Sequence, residues 1–288
     1  MLKQRIITAL ILAPLAILAI FYMSLESFSA IILVIMALGA WEWGPLMGFT
    51  QKSRRLAFVG STVMVIVAIW LLFPLMHLWE DDGQLSLNIQ YILWIAVVWW
   101  ALSAILTVLY PKYSHFWGSH RSVRGLFGLL TLVPTWLAFV VIRSHEYGDD
   151  PYHGAQLIMF LFLMVWSADI GAYFVGKSLG RHKLMPNVSP GKTLEGFVGG
   201  VFFACFLVAI AGVLLNWDQQ QFILVIVVTA IITTISVLGD LNESMFKRQA
   251  GVKDSGTILP GHGGVLDRID SLTATAPVYA LCYAMVGW

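Results

Sequence analysis

Residues 244–270 read SMFKRQAGVKDSGTILPGHGGVLDRID, a charged, glycine-rich stretch set between two apolar runs. Lys247, Arg248, Lys253, Asp254, His262, Asp267, Arg268 and Asp270 crowd into it, although only 11% of the 288 residues are charged. Charge beside hydrocarbon is costly, so such a cluster marks a functional site by default. Around it the chain is 59% hydrophobic with mean hydropathy +0.81, whereas a soluble domain is roughly half apolar and about a quarter charged. The expected fold class is all-α: a polytopic integral membrane protein.

A bilayer-spanning helix needs about 20 mostly apolar residues. Working outward from the charged stretch, nine candidate spans emerge: residues 6–23, 27–47, 56–76, 89–110, 125–143, 155–176, 194–215, 220–240 and 269–287. The first follows Lys3 and Arg5 and precedes a small-residue stretch, as in a signal peptide, but it is long enough to span and is expected to be retained. Basic connections alternate with acidic or polar ones. If the basic set faces the cytoplasm, 16 of the 17 Lys and Arg residues lie there, Arg143 being the exception. The positive-inside rule then predicts a cytoplasmic N-terminus and an external C-terminus. By segment, residues 1–88 hold N-terminal helices, 89–153 middle helices, and 154–288 C-terminal helices with cytoplasmic loops 177–193 and 241–268. Cys205 and Cys282 lie in apolar runs and read as buried packing residues. Trp41, Trp43, Trp79, Trp99, Trp100, Tyr110 and Trp217 read as interfacial anchors.

Several ionisable groups carry a chemical reading. Asp240 ends one span, while Asp267 and Asp270 begin the next and share a helix face at spacing three. Glu243 and Ser244 follow Asp240 at three and four residues. An antiparallel pair of spans would bring Asp240 and Asp267 together at one membrane face. Paired carboxylates repel unless a cation lies between them, and Mg²⁺ favours one or two carboxylates plus phosphate oxygens and water. Asp240 and Asp267 are therefore the candidate metal ligands, against the plainer reading of capped or salt-bridged aspartates. Lys247 and Arg248 suit phosphate or a nonspecific lipid headgroup, and Lys253 and Asp254 sit mid-loop between glycines. The run Pro260–Gly264 offers bare N–H groups before a helix start, a setting that favours anions. His262 is a candidate phosphate contact, helix-start hydrogen bonder or general base.

The second basic loop runs from Lys177 through Arg181 to Ser189-Pro190-Gly191-Lys192-Thr193 and then Glu195. It looks like a phosphate-cradling entry to a helix, without the spacing of a Walker A motif. Glu195 is also a candidate helix cap. Asp169, inside a span, should face the bundle interior, paired with a basic group or lining the site. His77, His115, His120, His145 and His153 show no ligand spacing and read as bland.

The run Ser244-x-x-Lys247-Arg248-x4-Lys253-Asp254-x-Gly256-x-x-Leu259-Pro260-x-His262-Gly263-Gly264-x-x-Asp267-Arg268-x-Asp270 resembles the signature of phosphatidate cytidylyltransferases, also called CDP-diacylglycerol synthases. Gly239-Asp240 and the Ser189–Gly196 stretch resemble that family too, so the likeness at motif level covers residues 166–275. It implies transfer of the cytidylyl group of CTP to phosphatidate, with pyrophosphate released. It also implies dependence on Mg²⁺, a second cation being compatible, a homodimer, and a polar cavity facing the cytoplasm of a bacterial inner membrane. On this reading Asp240, Asp267, Lys253 and Asp254 serve catalysis. Lys177, Arg181, Ser189, Lys192, Thr193, Glu195, Ser244, Lys247, Arg248, His262, Arg268, Asp270 and Asp169 serve substrate binding. The partners are CTP, phosphatidate and the lipid bilayer, with no nucleic acid.

Two other readings stay open on residues alone. Another membrane lipid-phosphate transferase would place aspartates and Mg²⁺ similarly, although the DGxxAR pattern of CDP-alcohol phosphatidyltransferases is missing. A transporter would call for charges at mid-span and repeated halves, and no repeat is visible. Nothing in the sequence marks a pyrimidine pocket.

Overall fold

A computed structural model describes residues 2–287. The chain folds as α1 (Leu2–Tyr22), α2 (Leu25–Leu46), α3 (Lys52–Leu72), α4 (Leu87–Leu109), the short α5 (Ser114–Gly118), α6 (Arg121–Ser144), α7 (His153–Leu179), β1 (Lys183–Met185), β2 (Ser189–Thr193), α8 (Leu194–Leu214), α9 (Gln219–Gln249) and α10 (Leu266–Val286). Eight of the described helices, α2 to α4 and α6 to α10, are long and apolar enough to cross a bilayer. α1 adds a shorter apolar stretch, Leu10–Tyr22. The protein is therefore a nearly all-α, multi-pass membrane protein.

The helix starts follow local chemistry. Ser24, Thr193 and Asp218 each accept a hydrogen bond from the backbone N–H three residues on, capping α2, α8 and α9. At the C-terminal ends of α2 and α1, carbonyls take arginines. Arg55 donates to Trp41 O and Arg124 to Leu46 O at the end of α2. Arg143, the one basic residue on the acidic side, is fully buried. It donates to Ile20 O at the end of α1 (2.9 Å) and to Pro151 O (2.7 Å). Favourable charge at a helix C-terminus explains its breach of the charge pattern.

α6 is the central helix, buried along most of its length, and α10 packs against it and against α4, α7 and α9. α3, α4 and α8 turn large apolar side chains outward, among them Leu71, Val98 and Phe202, a surface that suits lipid rather than water. The N-terminal, middle and C-terminal segments share a single hydrophobic core. Trp43, Trp99 and Trp100 belong to that core rather than to an interfacial belt. Trp43 Nε1 donates to Arg124 O, and Trp99 Nε1 donates to Thr131 Oγ1.

Two expected boundaries move. The sequence ends the eighth span at Asp240, yet α9 continues to Gln249, giving 31 residues, or about 46 Å. Its last turns carry Asp240, Ser244 and Lys247 at helical spacing, so the loop begins after Gln249 rather than at residue 241. Loop 177–193 is also more ordered than expected. α7 runs to Leu179, and β1 and β2 pair antiparallel as a small hairpin leading into α8.

Candidate active site

Most of the candidate residues gather where α7, α8, α9 and α10 meet the hairpin and the 250–265 loop. Two cavities lie there, of about 480 and 370 Å³. Asp169 of α7 and Asp240 of α9 line both, so the cavities adjoin at these two carboxylates. The larger is acidic and basic at once, with Asp254, Asp267, Asp270, Lys247 and Arg268 on its walls. The smaller lies under the hairpin, with Lys177, Lys192 and Thr193 at its polar end and Phe197, Val201 and Val237 along the helices.

Asp240 Oδ2 is 2.6 Å from Lys192 Nζ, an ion pair that ties the end of the hairpin to α9. Its other oxygen accepts a longer bond from Ser244 Oγ, at 3.3 Å. Close packing makes this juncture possible: a Cβ on Gly239 would come within 2.6 Å of the Asp270 carbonyl oxygen. Asp270 therefore stands beside Asp240, and the two carboxylates repel. Glu243, buried on α9, adds a third carboxyl group next to Asp270 and lies 3.2 Å from Lys247 Nζ.

Asp267 is held differently. Its oxygens accept from Lys247 Nζ (2.7 Å), Gly264 N (2.8 Å) and Ser255 N (3.0 and 3.2 Å). Gly263 permits this wrap, since it has φ +87° and a Cβ there would meet Asp267 Oδ2 at 2.8 Å. Within the glycine run, Gly264 N is thus turned to a protein carboxylate. Leu266 N goes to Glu42 Oε2 (2.8 Å) and His262 N to Leu259 O (3.0 Å).

Glu42 has no counterpart among the sequence-derived candidates. It projects from α2 beneath the loop, almost fully buried, and also accepts from Ser255 Oγ at 3.3 Å. Gly256 and Gly264 lie so close that an added Cβ on either would collide with its carboxylate. A carboxylate inside an apolar run is itself a functional signal, and that rule, applied to Asp169, reaches Glu42 equally.

The other candidates divide by position. Arg248 Nε donates to Val188 O (3.2 Å), pinning the hairpin to α9. Glu195 accepts from Arg181 N (3.0 Å) and His182 N and pairs with His182 Nδ1 at 2.6 Å. It braces the hairpin, while Thr193 caps α8 through Gly196 N at 3.1 Å. Arg181, Ser189, Lys253 and His262 are not among the residues lining the two cavities. The Lys253 and Arg181 side chains are exposed, and His262 Nδ1 is enclosed without a hydrogen bond.

The cavity's acidic donors are all carboxylate oxygens, a hard set of the kind Mg²⁺ prefers. They do not close into an all-protein cage, which matches an ion that keeps water and takes substrate phosphate oxygens. Asp240, with one oxygen only weakly engaged, is the more open donor, whereas Asp267 already serves four donor contacts.

A family model described as the cytidylyltransferase family matches residues 3–286. A protein of Pseudomonas aeruginosa named phosphatidate cytidylyltransferase is 41% identical over 288 residues, covering 100% of this chain and 99% of its own length. A Haemophilus influenzae protein of the same name is 40% identical, covering 99% of this chain and all of its own length. A Staphylococcus aureus protein, again of that name, is 46% identical over 143 residues, 49% of this chain. The chain belongs to the cytidylyltransferase family.

Proposed function

We propose that this membrane protein transfers the cytidylyl group of CTP to phosphatidate, releasing pyrophosphate and forming CDP-diacylglycerol. The observation that carries the reading is the meeting of two cavities at Asp169 and Asp240, one rich in carboxylates and one floored by lysines. Two phosphorylated substrates can approach a common point there. Full-length likeness to proteins named phosphatidate cytidylyltransferase supports the substrate pair. We place nine spans in the bilayer of the bacterial inner membrane, with the N-terminus and this site on the cytoplasmic side. Phosphatidate would then present its phosphate at the interface while its acyl chains stay in lipid, and CTP would arrive from water. The protein would work as a homodimer.

The reaction on this account is in-line attack by a phosphatidate phosphate oxygen on the α-phosphorus of CTP, with pyrophosphate leaving. A phosphate monoester is already anionic, so no strong base is required. Lys192, Lys247 and Arg268 supply the positive charge that binds and orients the phosphates, as cationic clamps do in phosphoryl transfer. Mg²⁺ held by Asp240 and Asp267 would neutralise charge developing on the transferred group, and a second cation is compatible with the neighbouring Asp270. Asp169 and Asp254 face the same space and orient the cationic side chains. Glu42 keeps the 250–265 loop seated so that Lys247 and Asp267 hold their positions.

The test is pyrophosphate release by purified protein from each of four nucleoside triphosphates, with and without phosphatidate and Mg²⁺. Release only with CTP or dCTP, phosphatidate and Mg²⁺ together supports the assignment. Release that does not need phosphatidate, or none from folded protein, overturns it.

A further inference from the structure

At the far end of the bundle, His145 ends α6, Glu146 follows it, and His153 opens α7. On α10, Tyr283 lies sixteen residues beyond Asp267, about 24 Å along the helix, so this end is remote from the carboxylate cavity. One ligand atom from each of His145, Glu146 and His153 lies within 4.8 Å of the others, the only such group of His, Cys, Asp or Glu among the described residues.

The connection is built to bring them together. Glu146 adopts φ 53°, the left-handed region that side-chain-bearing residues seldom use. Its carbonyl accepts from Asp149 N (3.0 Å) and Asp150 N (2.8 Å), folding the chain back so that His153 Nδ1 faces Glu146 Oε2 at 3.5 Å. His153 Nε2 lies 2.9 Å from the Tyr283 hydroxyl, a contact of the kind that fixes the ring of a metal-ligating histidine. The His145 ring is wedged edge-on against Trp79 (4.4 Å between centroids) and Tyr283 (4.9 Å). Its Nδ1 is buried with no hydrogen-bond partner.

We propose that His145, Glu146 and His153 form a binding site for a transition-metal dication of the Zn²⁺ class, separate from the catalytic cavity. Two imidazoles and one carboxylate are a donor set that Zn²⁺ takes in tetrahedral sites, with water in the fourth position. Such a site needs donors roughly 3.4 Å apart around bonds of about 2.1 Å, within reach of small side-chain rotations from the observed spacing. Bound metal would clamp the α6–α7 connection against α10 and Trp79.

The test is a Co²⁺ titration of full-length protein purified without a histidine tag, stripped with chelator, and read by visible absorption and calorimetry. The expected result is equimolar Co²⁺ with the intense absorption of a tetrahedral site, displaced by Zn²⁺. His145→Ala and His153→Ala should each weaken binding by about 100-fold or more, and Asp240→Asn should leave it unchanged. Should the histidine variants fail to fold, Glu146→Gln, altering a half-exposed side chain, should still weaken binding at least about tenfold. No saturable binding by wild type, or affinity unchanged in these variants, overturns the site. Loss of binding in Asp240→Asn places the ion in the catalytic cavity and also overturns it.

Discussion

Glu42 Oε2 accepts the Leu266 N–H at 2.8 Å, joining the second helix to the first residue of the last helix across 224 positions of sequence. The bond seats the loop that holds Asp267 and Lys247. Glu42→Ala would leave Leu266 N and Ser255 Oγ unpaired in a buried setting, at a cost of about 1–3 kcal/mol. The expected outcome is a lowered Tm in detergent together with at least a roughly tenfold loss of turnover. Glu42→Gln, which keeps the volume and an acceptor oxygen, should fall between. Wild-type Tm and turnover in Glu42→Ala would remove this residue from the account.

Asp240 and Asp267 should separate when each is changed to Asn. Asp240 makes one short ion pair and one long hydrogen bond at the cavity edge, so Asp240→Asn should stay near wild-type stability and lose turnover. Asp267 also anchors Ser255, Gly264 and Lys247. Asp267→Asn should therefore lose turnover and about 1.5–3 kcal/mol of stability, the scale of a charge-assisted hydrogen bond. Melting curves and rates measured on the same preparations check both, and near-normal activity in either variant would contradict the site.

Gly239 lets α9 and α10 touch. Gly239→Ala places a Cβ against the Asp270 carbonyl oxygen, a backbone atom that cannot swing aside. Overpacking of this kind costs about 1–3 kcal/mol, and here it also moves Asp240 relative to Asp270. Gly60→Ala, in helix α3 with open space around it, is the control and should leave Tm and turnover intact. A Gly239→Ala protein that matches that control would show that the helix contact is slack.

Arg248 and Glu195 hold the hairpin from outside the cavities. Removing Arg248 releases Val188 O, and removing Glu195 releases Arg181 N and His182 N. Both Arg248→Ala and Glu195→Ala should speed proteolytic cleavage within 181–193 and raise KM for the nucleotide more than they lower kcat. Loss in kcat alone would point to a direct role in the reaction for the residue concerned.

Much of the helical architecture is legible in the sequence, because hydrocarbon demands long apolar runs. The errors have physical causes. Asn242, Glu243 and Ser244 end an apolar run, and polarity was the signal for a span's end. Nothing between Asp240 and Gln249 breaks a helix, however, so α9 continues past it. Trp43 lies near the end of α2, but Trp99 and Trp100 lie in the middle of α4, and Trp43 and Trp99 turn their indole N–H groups to oxygens of α6. Asp240, Asp267 and their lysines stand out because charge is rare in this chain. Glu42 carries the same signal as Asp169, a carboxylate in an apolar run, but its partners Leu266 N and Ser255 Oγ lie 224 and 213 positions away, and His145 with His153 are missed because a turn, not a periodicity, brings them together.

The most direct measurement of the central claim follows phosphorus from CTP. Protein in detergent with phosphatidate and Mg²⁺ is given CTP radiolabelled either at the α- or at the γ-phosphorus. The account predicts that α-label moves into the lipid fraction and γ-label into pyrophosphate, with neither transfer in Asp240→Asn. Label from the γ-position in the lipid, or α-label that never reaches it, would contradict transfer of a cytidylyl group at this site.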